Sequence, residues 1–370
     1  MEKTCFSKQN SLAVKGVAIL MMLWHHCFLA GRFEDYTIDF WPLAQSQVVN
    51  IAAFCKICVS LFAFISGYGL FLSWKRFKEG GQDLNGWLRE KLVRTLSNYW
   101  FVVVLAWVVC TIADGRPYAV YGFGDSKYAG TWKMGIEFLG LSNFFGVAKL
   151  GEDWWYISAG LIFVVLLPIL DICLEKIGCF CTMCLLFTIP RVCGGCPGGT
   201  NFLSFLPIFC FGMIFAKNDL FTKWRNVRGG VNDHISRTVR AFFLTAAVLL
   251  VYKLYYHLPN KTWWDIKWSI FPLVVILFIY DVLIPLRPVN AVLIFLGRHA
   301  TNIWLVHAFI RHYYCQDFIY GQGHFALVIG MLFLTSLGLS LVIELLKKVL
   351  RYDALVDRLS GRWDRKGALP

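Results

Sequence analysis

Apolar residues in this chain fall in long blocks instead of one-sided stripes. A block that is apolar on every face of a helix belongs in a membrane or in the middle of a large core. A bilayer core about 30 Å thick needs roughly 20 such residues. Ten blocks of this kind lie near 12–30, 51–73, 95–113, 154–171, 177–190, 202–216, 241–256, 268–286, 291–310 and 325–346. The fifth is short. A further apolar stretch, IEFLGLSNFFGVAKL over 136–150, holds Glu137 and Asn143 and is too short to span; it predicts an interfacial or re-entrant helix.

Composition supports that reading. Hydrophobic residues make up 58% of the 370 and charged residues 16%, with 15 Trp among an aromatic share of 17%. A soluble domain is nearer 25% charged, and tryptophan favours the membrane–water interface. The expected class is therefore all-α: a polytopic integral membrane protein of about ten spans. Lys and Arg set its orientation. With the N-terminus in the cytoplasm, the inner segments carry 23 Lys and Arg and the outer ones 9, which places both termini inside. The net charge of +13 is then mostly topology. Neither the 217–240 loop nor RWDRKGALP has the context of a nucleic-acid reader, so no nucleic-acid partner is expected. The first apolar run is long enough to stay as an anchor, with no cleavable signal pattern. The longest polar stretch, 114–153, is too short for a sizeable soluble domain. The chain reads as one membrane-embedded domain, 1–370, with a basic cytoplasmic tail over 347–370.

Ionisable groups inside the blocks carry the functional signal, because they are costly in hydrocarbon. In LAVKGVAILMMLWHHCFLAG (12–31), Lys15 and His26 are eleven residues apart. At 3.6 residues per turn they share one helix face, about 16 Å apart along the axis, and His25 points about 100° away. Imidazole is the group best suited to move a proton near neutral pH. The plainer alternatives are a lysine that snorkels to the inner headgroups and a hydrogen-bonded structural histidine.

Arg89, Lys91 and Arg94 stand at the inner mouth of the third span, behind WKRFK (74–78). They could bind phosphates by charge-assisted hydrogen bonds, or simply anchor the helix. FLGRHATNIWLVHAFIRHYY (295–314) is polar enough to face a cavity or another polar helix, with His307 deep and Arg311 and His312 toward the outside. In LFAFISGYGLF (61–71), Ser66 and the glycines allow close approach of a helix or a ligand. In EDWWYISAG (152–160), Trp155 and Tyr156 could form an interface belt or stack on a sugar ring. Thirteen cysteines include CTMC (181–184) and CGGC (193–196). The first pair lies in a span and the second in a Gly/Pro-rich outer loop. No metal is expected; a Cys193–Cys196 disulfide remains open.

Together these motifs resemble the acyltransferase-3 family of polytopic membrane acyltransferases, which O-acylate surface glycans. Lys15 and His26 are similar to its basic-x10-His first helix, with Lys where Arg is usual. LFAFISGYGL, REKLVRTLSNYW, WWYISAG and LGRHATNIWLVH resemble its later elements in the right order, with Ser97 at a common Pro site. The resemblance implies acyl-CoA as donor, with acetyl-CoA the first expectation, and no metal. Donor phosphates would dock on Lys91, Arg94 and Arg89. His26 would act as general base or as nucleophile, with Lys15 on its face, while Ser66, Trp155, Tyr156 and His307 would face substrate. The expected acceptor is an envelope glycan or a lipid-linked sugar, and the expected location the inner (plasma) membrane, multi-pass. A proton-coupled transporter or flippase is the alternative class, since intramembrane His, Lys and Arg suit it too.

Overall fold

A computed structural model of the chain describes residues 6–29, 31–80, 83–124, 126–193, 199–227 and 233–361. It is 84% helical, with no strand among the described residues. In chain order the helices are α1 Lys8–Phe28, α2 Gln45–Phe54, α3 Cys58–Gly80, α4 Leu84–Ala113, α5 Arg116–Tyr121 and α6 Lys127–Phe138. Then come α7 Ser142–Phe145, α8 Trp155–Lys176, α9 Gly178–Cys193, α10 Leu206–Lys217, α11 Leu220–Asn226 and α12 Asp233–His257. The last are α13 Asn260–Asp265, α14 Phe271–Phe278, α15 Arg287–Ala308, α16 Gln316–Tyr320, α17 Phe325–Val349 and α18 Tyr352–Leu359.

Among the described residues, eight helical stretches are long and apolar enough to cross a membrane, and the chain is an all-α polytopic membrane protein. The fifth and sixth of the ten expected spans are α9 and α10, of 16 and 12 residues. At 1.5 Å per residue they reach only about 24 and 18 Å, short of a full crossing. The segment 136–150 is not one helix. Gly140 breaks it with φ +73°, where a Cβ would sit 2.5 Å from Ile157 and 2.9 Å from Leu96. Thiols are free at the ten cysteines whose side chains are described, with Cys181 and Cys184 exposed. The Cys193–Cys196 pairing lies outside the described residues.

The expected single domain comprises two compact units, each of several chain segments. The first holds Met1–Arg76, Leu167–Ala300 and Tyr320–Gly330. Its core is made by helices that touch at glycine. A Cβ on Gly16 would lie 2.2 Å from the Leu293 carbonyl oxygen, and one on Gly297 1.9 Å from that of Leu12. So α1 and α15 pack backbone to backbone, as small residues permit. Gly67 and Gly212 do the same for α3 and α10, against the carbonyls of Phe209 and Phe64. The room that the glycines of the second span were expected to leave for a ligand is therefore filled at Gly67, while Gly69 has nothing within 4 Å. Asp171, buried, accepts from the Trp74 indole at 2.8 Å and pairs with Lys217 at 3.5 Å, which ties α3, α8 and α10 through one buried carboxylate.

The second unit holds Phe77–Leu166, Thr301–Ile319 and Met331–Pro370. The segment between α4 and α8 is pinned to both helices. Tyr99 and Trp100 of α4 donate to the carbonyls of Glu137 and Phe138, and Ser158 of α8 donates to that of Gly140. Glu137 is fully buried. It accepts from the Tyr121 hydroxyl and, at 2.7 Å, from the Leu150 amide. Burial pushes its pKa up to about 7, only partly offset by those hydrogen bonds. The tail expected over 347–370 begins as the end of α17 and continues as α18, which docks on α4; residues 362–370 lie outside the described residues.

Candidate active site

In the first unit, α1 starts on Ser7, whose hydroxyl caps the Asn10 amide at 3.2 Å. The helix runs unbroken through Lys15 and His26, so the one-face relation read from their spacing stands. Lys15 and His26 are half-buried. His25 faces elsewhere: it is 5% exposed, and its Nδ1 lies 2.8 Å from the Ala52 carbonyl, which makes it a packing residue against α2. Trp24 likewise donates to Val48 at 3.2 Å.

After α1 the chain reverses. Gly31 takes φ +83°, a conformation open to glycine and strained for other residues, and this returns Arg32 to the end of the helix. The Arg32 guanidinium lies 2.7 Å from His26 Nδ1 and 3.1 Å from the His26 carbonyl oxygen. A guanidinium only donates. Nδ1 must therefore be the acceptor, and the neutral imidazole carries its proton on Nε2. Arg32 had counted only as an outer-side charge in the sequence. Ser66, half-buried on α3, stands beside Gly67 at the α3–α10 crossing.

In the second unit, His307 is fully buried near the end of α15. Its Nδ1 lies 2.7 Å from the Trp304 carbonyl, so it donates there. Its Nε2 lies 3.3 Å from Asp153 Oδ2. Two indoles brace the pair: Trp304 donates to the Asp153 carbonyl at 3.2 Å, and Trp154 to that of Leu305 at 2.9 Å. Asp153 was read as part of an interfacial belt; it is the carboxylate partner of His307. Trp155 is buried and packs edge-on to the half-buried Tyr156, which itself meets Trp304 edge-on at 6.1 Å. Both are wall residues of this group.

Asn302, one turn earlier on α15, explains the remaining polarity of that helix. It accepts from Asn98 at 2.8 Å and donates to Glu344 at 2.7 Å and Ser340 at 3.2 Å. Glu344 also pairs with Lys347 at 2.9 Å. Every member is partnered, so the network joins α4, α15 and α17 without unpaired charge.

The basic cluster is helical: α4 begins at Leu84, capped by Asp83, so Arg89, Lys91 and Arg94 project from a helix. All three are engaged. Arg94 pairs with Asp357 of α18 at 2.8 Å and with Glu90 at 3.4 Å. Lys91 pairs with Glu90 at 3.6 Å, and Arg89 donates to the Leu359 carbonyl at 2.8 Å. Tyr352 of α18 donates to the Ser97 carbonyl at 2.8 Å. The structure thus brings the three cations together with α18, and His307, Trp155 and Tyr156 around Asp153. Lys15, His26 and Ser66 belong to the other unit.

In chemical terms, one unit presents an imidazole of fixed tautomer beside a guanidinium, and the other an imidazole–carboxylate pair. Both are groups able to take and give a proton. No match to the chain is found among the curated proteins or among the solved structures. The family model described as an acyltransferase domain matches residues 13–345, from within the Lys15–His26 helix to within α17. That match covers nearly the whole chain, including Lys15, His26, Asp153 and His307, and the chain belongs to the acyltransferase-3 family of membrane acyltransferases.

Proposed function

We propose that this protein moves an acyl group, acetyl in the first instance, from cytoplasmic acyl-CoA to a hydroxyl of a cell-envelope polysaccharide or glycolipid at the inner membrane. The observation that carries the reading is His26 with Arg32 on its Nδ1, on the same helix face as Lys15. Proton transfer at His26 runs through the imidazolium. As the acceptor hydroxyl adds to the thioester carbonyl and the ester C–O bond forms, the neutral ring takes the hydroxyl proton; as the C–S bond breaks, the imidazolium gives a proton to the departing sulfur. His26 ends unchanged, and the products are the ester and the CoA thiol. A protonated Nε2 is a poor nucleophile, which favours acid–base work over an acyl-imidazole. Arg89, Lys91 and Arg94 supply cations suited to the donor's phosphates.

The test uses the full chain in proteoliposomes with labelled acetyl-CoA, alongside base-labile O-acyl groups on the envelope glycans of cells with and without it. Acyl-CoA-dependent labelling is expected. His26→Ala should abolish it without loss of expression. Lys15→Arg should retain it and Lys15→Ala should not. Unchanged glycans, with substrate flux that follows the proton gradient and ignores acyl-CoA, would overturn the reading in favour of a transporter.

A further inference from the structure

Arg311 is a buried cation for which the fold supplies no partner among the described residues. It is 7% exposed, in the wide-turned segment Phe309–Tyr314 that ends α15. Its Nε is buried with no hydrogen bond, and among the described residues no carboxylate lies within ion-pair distance of its guanidinium. Among the described residues, several other buried or part-buried cations are engaged. Lys347 has Glu344, Arg240 has Asp281, Lys217 has Asp171, and Arg116 stacks on the Tyr313 ring at 3.4 Å.

A guanidinium cannot shed its charge by losing a proton. Leaving one buried and unpaired is strongly unfavourable. Arg311 follows His307 by four residues, about one turn further along the same helix. Wide helical turns of this kind recur at functional sites.

We infer that Arg311 binds an oxyanion, a carboxylate or phosphate group of the acceptor substrate, one turn beyond the His307–Asp153 pair. The bidentate fit of a guanidinium to either group gives position as well as affinity. In the orientation predicted by the Lys and Arg distribution, this end of α15 faces outward, the side from which an envelope acceptor arrives. The assignment to the acceptor rests on the reading under Proposed function; the anion site itself does not.

The experiment is thermal unfolding of the full-length protein in mild detergent. Three solutions are compared at equal ionic strength: sodium chloride, inorganic diphosphate and glucuronate. An anion that binds only the folded state raises Tm. Wild type should gain several degrees in one of the two oxyanions. Diphosphate identifies a lipid-linked sugar phosphate as the source of the group, and glucuronate an acidic sugar. Arg311→Met should lose that gain, and in chloride should melt at or above wild type, because it removes an unpaired buried charge. Arg311→Lys should keep part of the gain. In transfer assays Arg311→Met should raise the KM for acceptor at least tenfold and leave that for acyl-CoA within twofold. No oxyanion shift in wild type, an undiminished shift in Arg311→Met, or a lower Tm of that variant in chloride would each overturn the site. An intact shift with no acyl transfer by wild type would leave the site standing and sink the acyltransferase reading. An intact shift with an unchanged acceptor KM would remove only the acceptor from the assignment.

Discussion

Gly16→Ala adds one methyl group where α1 meets α15, and its cost can be worked from the structure. The new Cβ would lie 2.2 Å from the Leu293 carbonyl oxygen and 2.9 Å from its Cα. Ordinary contact begins near 3.4 Å, so the two backbones must part by about 1.2 Å. The neighbour is main chain in the middle of a helix, not the free end of a side chain, and cannot step aside alone. Forced overpacking of this kind costs about 1–3 kcal/mol. The reciprocal contact of Gly297 with Leu12 lies on the same seam and must open too. The helix that moves carries both Lys15 and His26. A misplacement near 1 Å can cost about 100-fold in rate. Gly16→Ala should therefore lower the unfolding free energy in an SDS titration by about 1–3 kcal/mol, and lower kcat far more than KM. Gly69→Ala, where no atom lies within 4 Å, is the control and should be silent in both. A Gly16→Ala protein as stable and as active as the control would refute the close backbone crossing, and with it the placement of α1.

Three further outcomes follow from the second unit. The folded-state pKa of Glu137, about 7, stands above its ordinary 4.5, so the fold favours its protonated form. Its contribution to stability is complete below pH 4.5 and is lost as pH rises through about 7, on the order of 3 kcal/mol. Unfolding measured at pH 5 and pH 8 should show this fall in wild type and a flatter profile in Glu137→Gln; equal slopes would remove the carboxyl from the account. Asp357→Asn should release Arg94 and lower the KM for acyl-CoA up to about fivefold, the scale of a part-exposed pair worth about 0.2–1 kcal/mol; an unchanged KM, with Arg94→Ala also silent, would make Arg94 an anchor for α18 alone. Asp153→Asn should reduce kcat about a hundredfold or more with little change in Tm, since it leaves His307 without its carboxylate; activity within threefold of wild type would assign the pair to packing.

The first helix was the most legible part of the site. Helical periodicity is local, so eleven residues between Lys15 and His26 specify a shared face whatever packs around them, and His25 is turned to α2 as its angle required. Arg32 was not legible. Its contact with His26 depends on the reversal at Gly31, whose positive φ is a backbone choice that charge counting ignores. The signal available was the glycine itself, just past the helix end. Asp153 was likewise present as an acidic residue beside tryptophans, but its partner is 154 positions away, and no local pattern joins them. The stretch 136–150 is too short to span, as its length implied, but it is two helical pieces and not one, because Gly140 takes φ +73° where Ile157 and Leu96 crowd any side chain.

By itself the sequence determined the solvent in which this chain folds. Apolar blocks and the bias of Lys and Arg act through transfer free energies, which depend on composition over some 20 residues and hardly on tertiary contacts. The order of the helices and the charged faces along them were settled at the same level. Tertiary structure alone decided which polar groups are satisfied by one another. It gave Glu344 to Asn302 and Lys347, Asp171 to Trp74 and Lys217, and Asp153 to His307. It left Arg311 with none among the described residues. The reason is physical: the cost of a buried charge depends on what lies within a few ångströms of it, and in a helical bundle those neighbours come from distant parts of the chain.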